Sequence, residues 1–156
     1  HGTSITLTFP AVKPAHRTTA VPPTERKMGN GERILVVDDE SSVLTVTKRI
    51  LESLNYNPTT VTSGQDAITL VRQAIDEEQP FDVVILDIVM DSMSGLDCLQ
   101  ELRKIDGSIR VILNSGQHNE PTEPDDHGAN AYIHKPQDIA PFSVVLHEVL
   151  HPGDSE

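Results

Sequence analysis

The sequence has one cysteine, Cys98, and no tryptophan among its 156 residues. A single thiol excludes an intramolecular disulfide framework and a cysteine-based zinc site, and the lack of disulfides fits a reducing, cytoplasmic compartment. Basic residues are half as numerous as acidic ones, 12 against 24, for a net charge of -12. Nonspecific nucleic-acid binding rests on Lys and Arg neutralising phosphates, so nucleic acid is not an expected partner. No apolar run approaches the roughly 18 residues that span a bilayer, and no direct membrane contact is expected. The opening HGTSITLTFP alternates apolar and polar residues instead of forming the apolar block of a signal peptide. The length is that of one domain with a tail, enough to bury a core without staples.

The charge divides unevenly. Residues 1–31 carry Lys13, Arg17, Arg26 and Lys27 against Glu25, a balance of +3; the remaining 8 basic and 23 acidic residues leave -15 for residues 32–156. Residues 11–31 are rich in Pro, Thr and Gly and poor in large apolar side chains, the composition of an exposed linker. The composition shift near Gly31 sets the expected domain boundary, with a domain over 32–151 and a tail over 152–156.

Within the domain, short β-branched runs at Ile34–Val37, Thr59–Val61, Val83–Leu86, Val111–Leu113 and Ala131–Ile133 suit strands buried on both faces of a parallel sheet. Helical patterns lie between them. Ser41 or Ser42 is positioned to cap a helix with Val43, Val46, Ile50, Leu51 and Leu54 inward. Ser63–Gly64 opens a second, with Ala67, Ile68, Val71 and Ile75 inward. Leu96, Leu99 and Leu102 mark a third, and Phe142, Val145, Leu146 and Val149 a last one begun near Pro141. Pro121 and Pro124 disfavour a regular helix over Gln117–His127, where a short or distorted helix is expected. The alternation implies an α/β, flavodoxin-like (βα)5 doubly wound parallel sheet, strand order 2-1-3-4-5, with helices on both faces.

Such folds bind ligands beyond the carboxyl ends of the strands, at the switch point between strands 1 and 3. Asp38, Asp39 and Glu40 directly follow the first strand, and Asp87 directly follows the third. Converging carboxylates repel unless a cation intervenes, and an all-oxygen donor set suits Mg²⁺. Separately, each aspartate reads more simply as a helix-terminal or strand-terminal residue; their coincidence at the two switch-point strands favours the cation site. Asn114–Gly116 follow the fourth strand and supply the Ser115 hydroxyl. Lys135, the only lysine after Lys104, follows the fifth, where it would offset the carboxylates and neutralise an incoming phosphoryl group.

The segments VVDDE (36–40), LDIVMDSMSG (86–95), LNSG (113–116) and GANAYIHKP (128–136) together resemble the receiver domains of two-component response regulators, over about residues 32–150. The resemblance implies that Asp87 is the phosphoacceptor, a carboxylate nucleophile taking a phosphoryl group from a phosphohistidine. It implies Mg²⁺ ligation by Asp39, Asp87 and the backbone carbonyl of Val89, with Asp38 acting mainly through water. Lys135 would contact the phosphoryl group, Ser115 would be the switch hydroxyl, and Tyr132 the aromatic that turns inward with it. The implied partners are a histidine kinase domain, in cis or trans, and a histidine phosphotransfer protein. On its own the fragment would catalyse at most its own aspartyl phosphorylation and dephosphorylation.

The sequence departs from the family at Asp91, where Pro is usual, and in the Pro121/Pro124 segment. Val89, two residues after Asp87, cannot orient a hydrolytic water, so a slowly decaying acyl phosphate is expected. HGTSITLTFP (1–10) resembles the last strand of a histidine-kinase ATP-binding domain, which implies the C-terminal receiver of a hybrid sensor histidine kinase; the alternative is a leader segment. Only HPGDSE follows residue 150, which disfavours a transcription factor. Two rivals remain: a degenerate receiver acting as a phosphorylation-independent binding module, and a flavin-binding flavodoxin, which VVDDE in the first loop and the absence of Trp argue against. Cys98 is expected to be a semi-buried helix residue. His147 and His151 have i, i+4 spacing but are expected to fray beside Pro152.

Overall fold

The computed structural model describes residues 26–116, 128–135 and 138–153. The expected strand at 1–10, most of the linker, the Gln117–His127 segment and residues 154–156 lie outside the described residues. Five strands, β1 (Arg33–Val37), β2 (Asn57–Val61), β3 (Val83–Asp87), β4 (Val111–Ser115) and β5 (Ala131–His134), form one parallel sheet in the order β2-β1-β3-β4-β5. The described helices are α1 (Ser41–Ser53), α2 (Gly64–Asp76), α3 (Gly95–Ile105) and α4 (Ile139–Leu150). The fold class read from the sequence is the one found.

Alternation along the central strands feeds two cores. Leu35, Val37, Val84, Leu86, Val111 and Leu113 pack with α2 and α3 on one face. Ile34, Val36, Val83, Ile85 and Ile112 pack with α1 and α4 on the other. Burial on both faces explains the near-continuous apolar strands, since a parallel sheet with covering helices leaves no wet side. Pro58 falls in β2, an edge strand, where a missing N–H removes no ladder bond from the interior.

Three local expectations are revised. Glu40, not Ser41 or Ser42, stands at the N-cap of α1, and it makes no side-chain cap bond. The inward stripe of α1 is Leu44, Thr47 and Leu51, while Val46 is 58% exposed. Val46 lies about 140° around the helix from Leu51 at 3.6 residues per turn, outside the stripe that faces the sheet. Ile75 likewise turns out of the core and Ala74 takes the inward position. Other caps follow the sequence: Ser63 accepts from the Asp66 N–H, and Ser94 from the Asp97 N–H, at 3.1 Å each. Among the described residues no helix is long and apolar enough to cross a membrane.

Residues 26–31, assigned to the linker by composition, lie against the domain as a strap. The Lys27 N–H donates to Ser143 Oγ at 3.1 Å, and the Gly29 N–H to the Leu54 carbonyl at 2.8 Å. The Asn55 side chain donates to the Gly29 carbonyl at 2.7 Å. A Cβ on Gly29 would overlap the Tyr56 ring, so close approach requires glycine there.

Candidate functional site

The carboxyl ends of β1, β3, β4 and β5 gather the residues singled out from the sequence. Asp38, Asp39 and Asp87 each offer a carboxylate oxygen within 4.8 Å of the others. Asp38 and Asp87 are buried, at 1% and 5% exposure, while Asp39 is exposed. Lys135 Nζ donates to Asp38 Oδ2 at 2.5 Å and lies 3.1 Å from Asp87 Oδ2. Among the described residues one ammonium thus contacts two of the three clustered carboxylates, and the cluster is left with excess negative charge.

Backbone groups complete the arrangement. Asp38 Oδ1 accepts from the Glu40 N–H at 2.9 Å, so both oxygens of this buried carboxylate are engaged. Asp39 Oδ2 accepts from the Asp91 N–H at 3.0 Å, which links the loop after β1 to the loop after β3. Proline at Asp91 could not make that bond. Asp87 takes a backbone hydrogen bond from Val89, whose side chain is 56% exposed. Gly95, at the start of α3, packs so closely on the end of β3 that a Cβ would collide with the Asp87 carbonyl. The Glu40, Asp91 and Gly95 contributions were not legible in the sequence, because two come from backbone N–H groups that every such residue carries. Gly95 closes the LDIVMDSMSG segment, but only the structure shows that the end of β3 leaves no room for a Cβ there.

Burial pushes the Asp87 carboxyl above its ordinary range; Lys135 pulls it back, and the Asp38 charge adds to the rise. Burial pushes the Lys135 ammonium down, but its contacts with Asp38 and Asp87 outweigh burial and hold it above its usual value. Lys135 is therefore a fixed cation, and Asp87 gains from further positive charge.

Ser115 is 1% exposed at the end of β4, and its carbonyl accepts the Lys135 N–H at 2.8 Å. Tyr132 on β5 pairs with Leu113, and Ser115 pairs with His134. By strand alternation Ser115 and Tyr132 address the same sheet face, where Tyr132 packs half-buried against the core. Cys98 is fully buried, more so than expected, with its thiol 3.7 Å from the Gly64 carbonyl.

The profile of the response regulator receiver domain matches residues 34–146. This chain belongs to that family. Among curated relatives, the transcriptional regulatory protein ZraR of Escherichia coli K12 is 33% identical over 79% of this chain and 28% of its own length. The two-component response regulator ARR14 of Arabidopsis thaliana is 33% identical over 73% of this chain and 30% of its own. The chain thus spans about three tenths of the length of these relatives. Among solved structures, a CheX–CheY–BeF3–Mg²⁺ complex from Borrelia burgdorferi matches 76% of this chain with a TM-score of 0.67 and 29% identity, over 88% of that chain.

Proposed function

We propose that this receiver accepts a phosphoryl group on Asp87 from a phosphohistidine, with Mg²⁺ as cofactor, and that the modification switches its conformation. The observation that carries the reading is the convergence of Asp38, Asp39, Asp87 and Lys135 at one end of the sheet. A buried carboxylate beside a fixed ammonium is a positioned nucleophile. A hard, all-oxygen donor set with excess negative charge fits Mg²⁺. Asp39, Asp87 and the Val89 carbonyl would hold the ion directly, and Asp38, already engaged by Lys135 and Glu40, through water. Bound there, Mg²⁺ neutralises charge on the phosphoryl oxygens.

In the reaction an Asp87 carboxylate oxygen attacks phosphorus as the P–N bond of the phosphohistidine breaks. The electron pair stays with the imidazole, which takes a proton from solvent. Lys135 sits where it can hold the transferred group's charge, and Ser115 supplies a hydroxyl donor to the new acyl phosphate. Tyr132, on the same sheet face, follows that hydroxyl inward. The donor is a histidine kinase domain in cis or trans, or a histidine phosphotransfer protein. The likeness of HGTSITLTFP to a kinase strand supports origin in a hybrid sensor histidine kinase in the cytoplasm.

Phosphotransfer from the parent kinase domain, followed on phosphate-affinity gels with and without Asp87→Asn, tests the reading. Asp87→Asn should abolish labelling, and chelating Mg²⁺ should suppress it. Transfer that survives Asp87→Asn would refute the assignment. The binding-module reading rests only on Asp91; beryllofluoride with Mg²⁺ perturbing residues near Asp87 and Tyr132 would exclude it.

A further inference from the structure

The end of the domain that carries the strap holds a second set of donors, of different chemistry. The last turn of α4 and its C-cap read His147-Glu148-Val149-Leu150-His151. Two histidines at i and i+4 share one helix face, the spacing by which helices hold zinc. The expected fraying is not observed: α4 runs to Leu150, and the His151 N–H donates to the His147 carbonyl at 2.8 Å. The two imidazole rings lie 4.7 Å apart, centroid to centroid. A carboxylate arrives from the other end of the domain sequence. Glu32 Oε1 is 3.3 Å from His151 Nε2, while Glu32 Oε2 accepts the Asn30 N–H at 2.6 Å. His147 Nδ1 is buried and has no hydrogen-bond partner among the described residues.

We propose that His147, His151 and Glu32 form a structural site for a divalent ion of the zinc class, which clamps the strap before β1 onto the end of α4. Two imidazoles and one carboxylate select Zn²⁺ over Mg²⁺, whereas the aspartate cluster has the opposite preference. Three protein donors leave one tetrahedral position for water. Among the described residues only the aspartate cluster already has its donor atoms within 4.8 Å of one another. The histidine site therefore closes on loading, by side-chain rotation at the helix end. Glu148 is exposed beside the pair, and the role assigned is a clamp rather than hydrolysis. The ion would add to the bonds that Lys27, Gly29 and Asn55 already make, fixing residues 26–31 against the domain.

The test is calorimetric titration of the whole chain with ZnCl₂ in saturating Mg²⁺, beside Tm measurements. Zn²⁺ should bind at one site and raise Tm. His147→Gln, His151→Gln and Glu32→Gln should each weaken binding by about 10-fold or more, an effect of the size that loss of a ligand-orienting group produces. Asp87→Asn should leave it unchanged. Circular dichroism of each variant establishes that it is folded. Zn²⁺ binding that is absent, that ignores both histidine substitutions, or that is lost in Asp87→Asn overturns the site. Loss with the histidine variants but not with Glu32→Gln overturns the clamp. None of these outcomes depends on phosphorylation of Asp87.

Discussion

Replacing Lys135 by Met removes the one cation that, among the described residues, is set against Asp38 and Asp87, and the consequence has a calculable size. The contacts are 2.5 and 3.1 Å, with the lysine side chain 22% exposed and the carboxylates 2% and 6% exposed. At an effective dielectric of about 20, unit charges about 3 Å apart attract by about 5 kcal/mol. Two such contacts give about 10 kcal/mol gross, against several kcal/mol for desolvating the ammonium. Breaking a buried pair from one side leaves its partner charged and unmatched, a loss of about 3–5 kcal/mol. Asp87 is already raised by burial and escapes part of this by taking a proton, so the lower end, about 3 kcal/mol, is expected near neutral pH without metal. Urea unfolding followed by circular dichroism in chelator measures it. Three features identify the cause. The deficit should shrink as pH falls through the raised carboxylate range, should shrink on adding Mg²⁺, and should be partly repaired by Asp87→Asn in the same chain. A loss below about 1 kcal/mol, the size of an exposed ion pair, or one that persists unchanged in acid, would refute the reasoning.

Other outcomes follow from the same geometry. Because the folded-state pKa of Asp87 is raised, its contribution without metal is present below the unfolded carboxyl pKa and is lost as pH rises through the folded value. Mg²⁺ should therefore raise Tm more at neutral pH than in acid, and an equal rise at both would contradict the site. Val89→Asn, which places an amide beside Asp87, should speed hydrolysis of the acyl phosphate; decay within seconds in the unsubstituted chain, with no acceleration in the variant, would sink that idea. The Cys98 thiol, fully buried and pushed up to about 11 by burial and then by Glu101, should resist a disulfide reagent until the chain is unfolded in denaturant. Rapid labelling of the native chain would show that the α2–α3 packing is wrong.

Legibility differed by kind of signal. Apolar runs such as Val83–Leu86 announced strands because burial on two faces demands them, and the strand order followed from alternation with helices. Carboxylates directly after two such runs announced the crevice. The α1 stripe was misread because apolar residues cover more than one side of that helix, and only packing against the sheet selects Leu44, Thr47 and Leu51 over Val46. The strap was misread because composition reports what a segment lacks in apolar bulk. It is silent on backbone bonds such as Gly29 to Leu54.

What the sequence determined by itself is local: which segments extend, which coil, and which acids stand at strand ends, since each follows from side-chain type and period along the chain. Tertiary structure decided the pairings. Lys135 takes Asp38 and Asp87, 97 positions separate it from Asp38, and Asp39 is left to the Asp91 N–H. Register brings those loops together, because parallel strands place chain-distant ends at one edge. The same holds at the opposite end, where Glu32 meets His151 across the folded sheet.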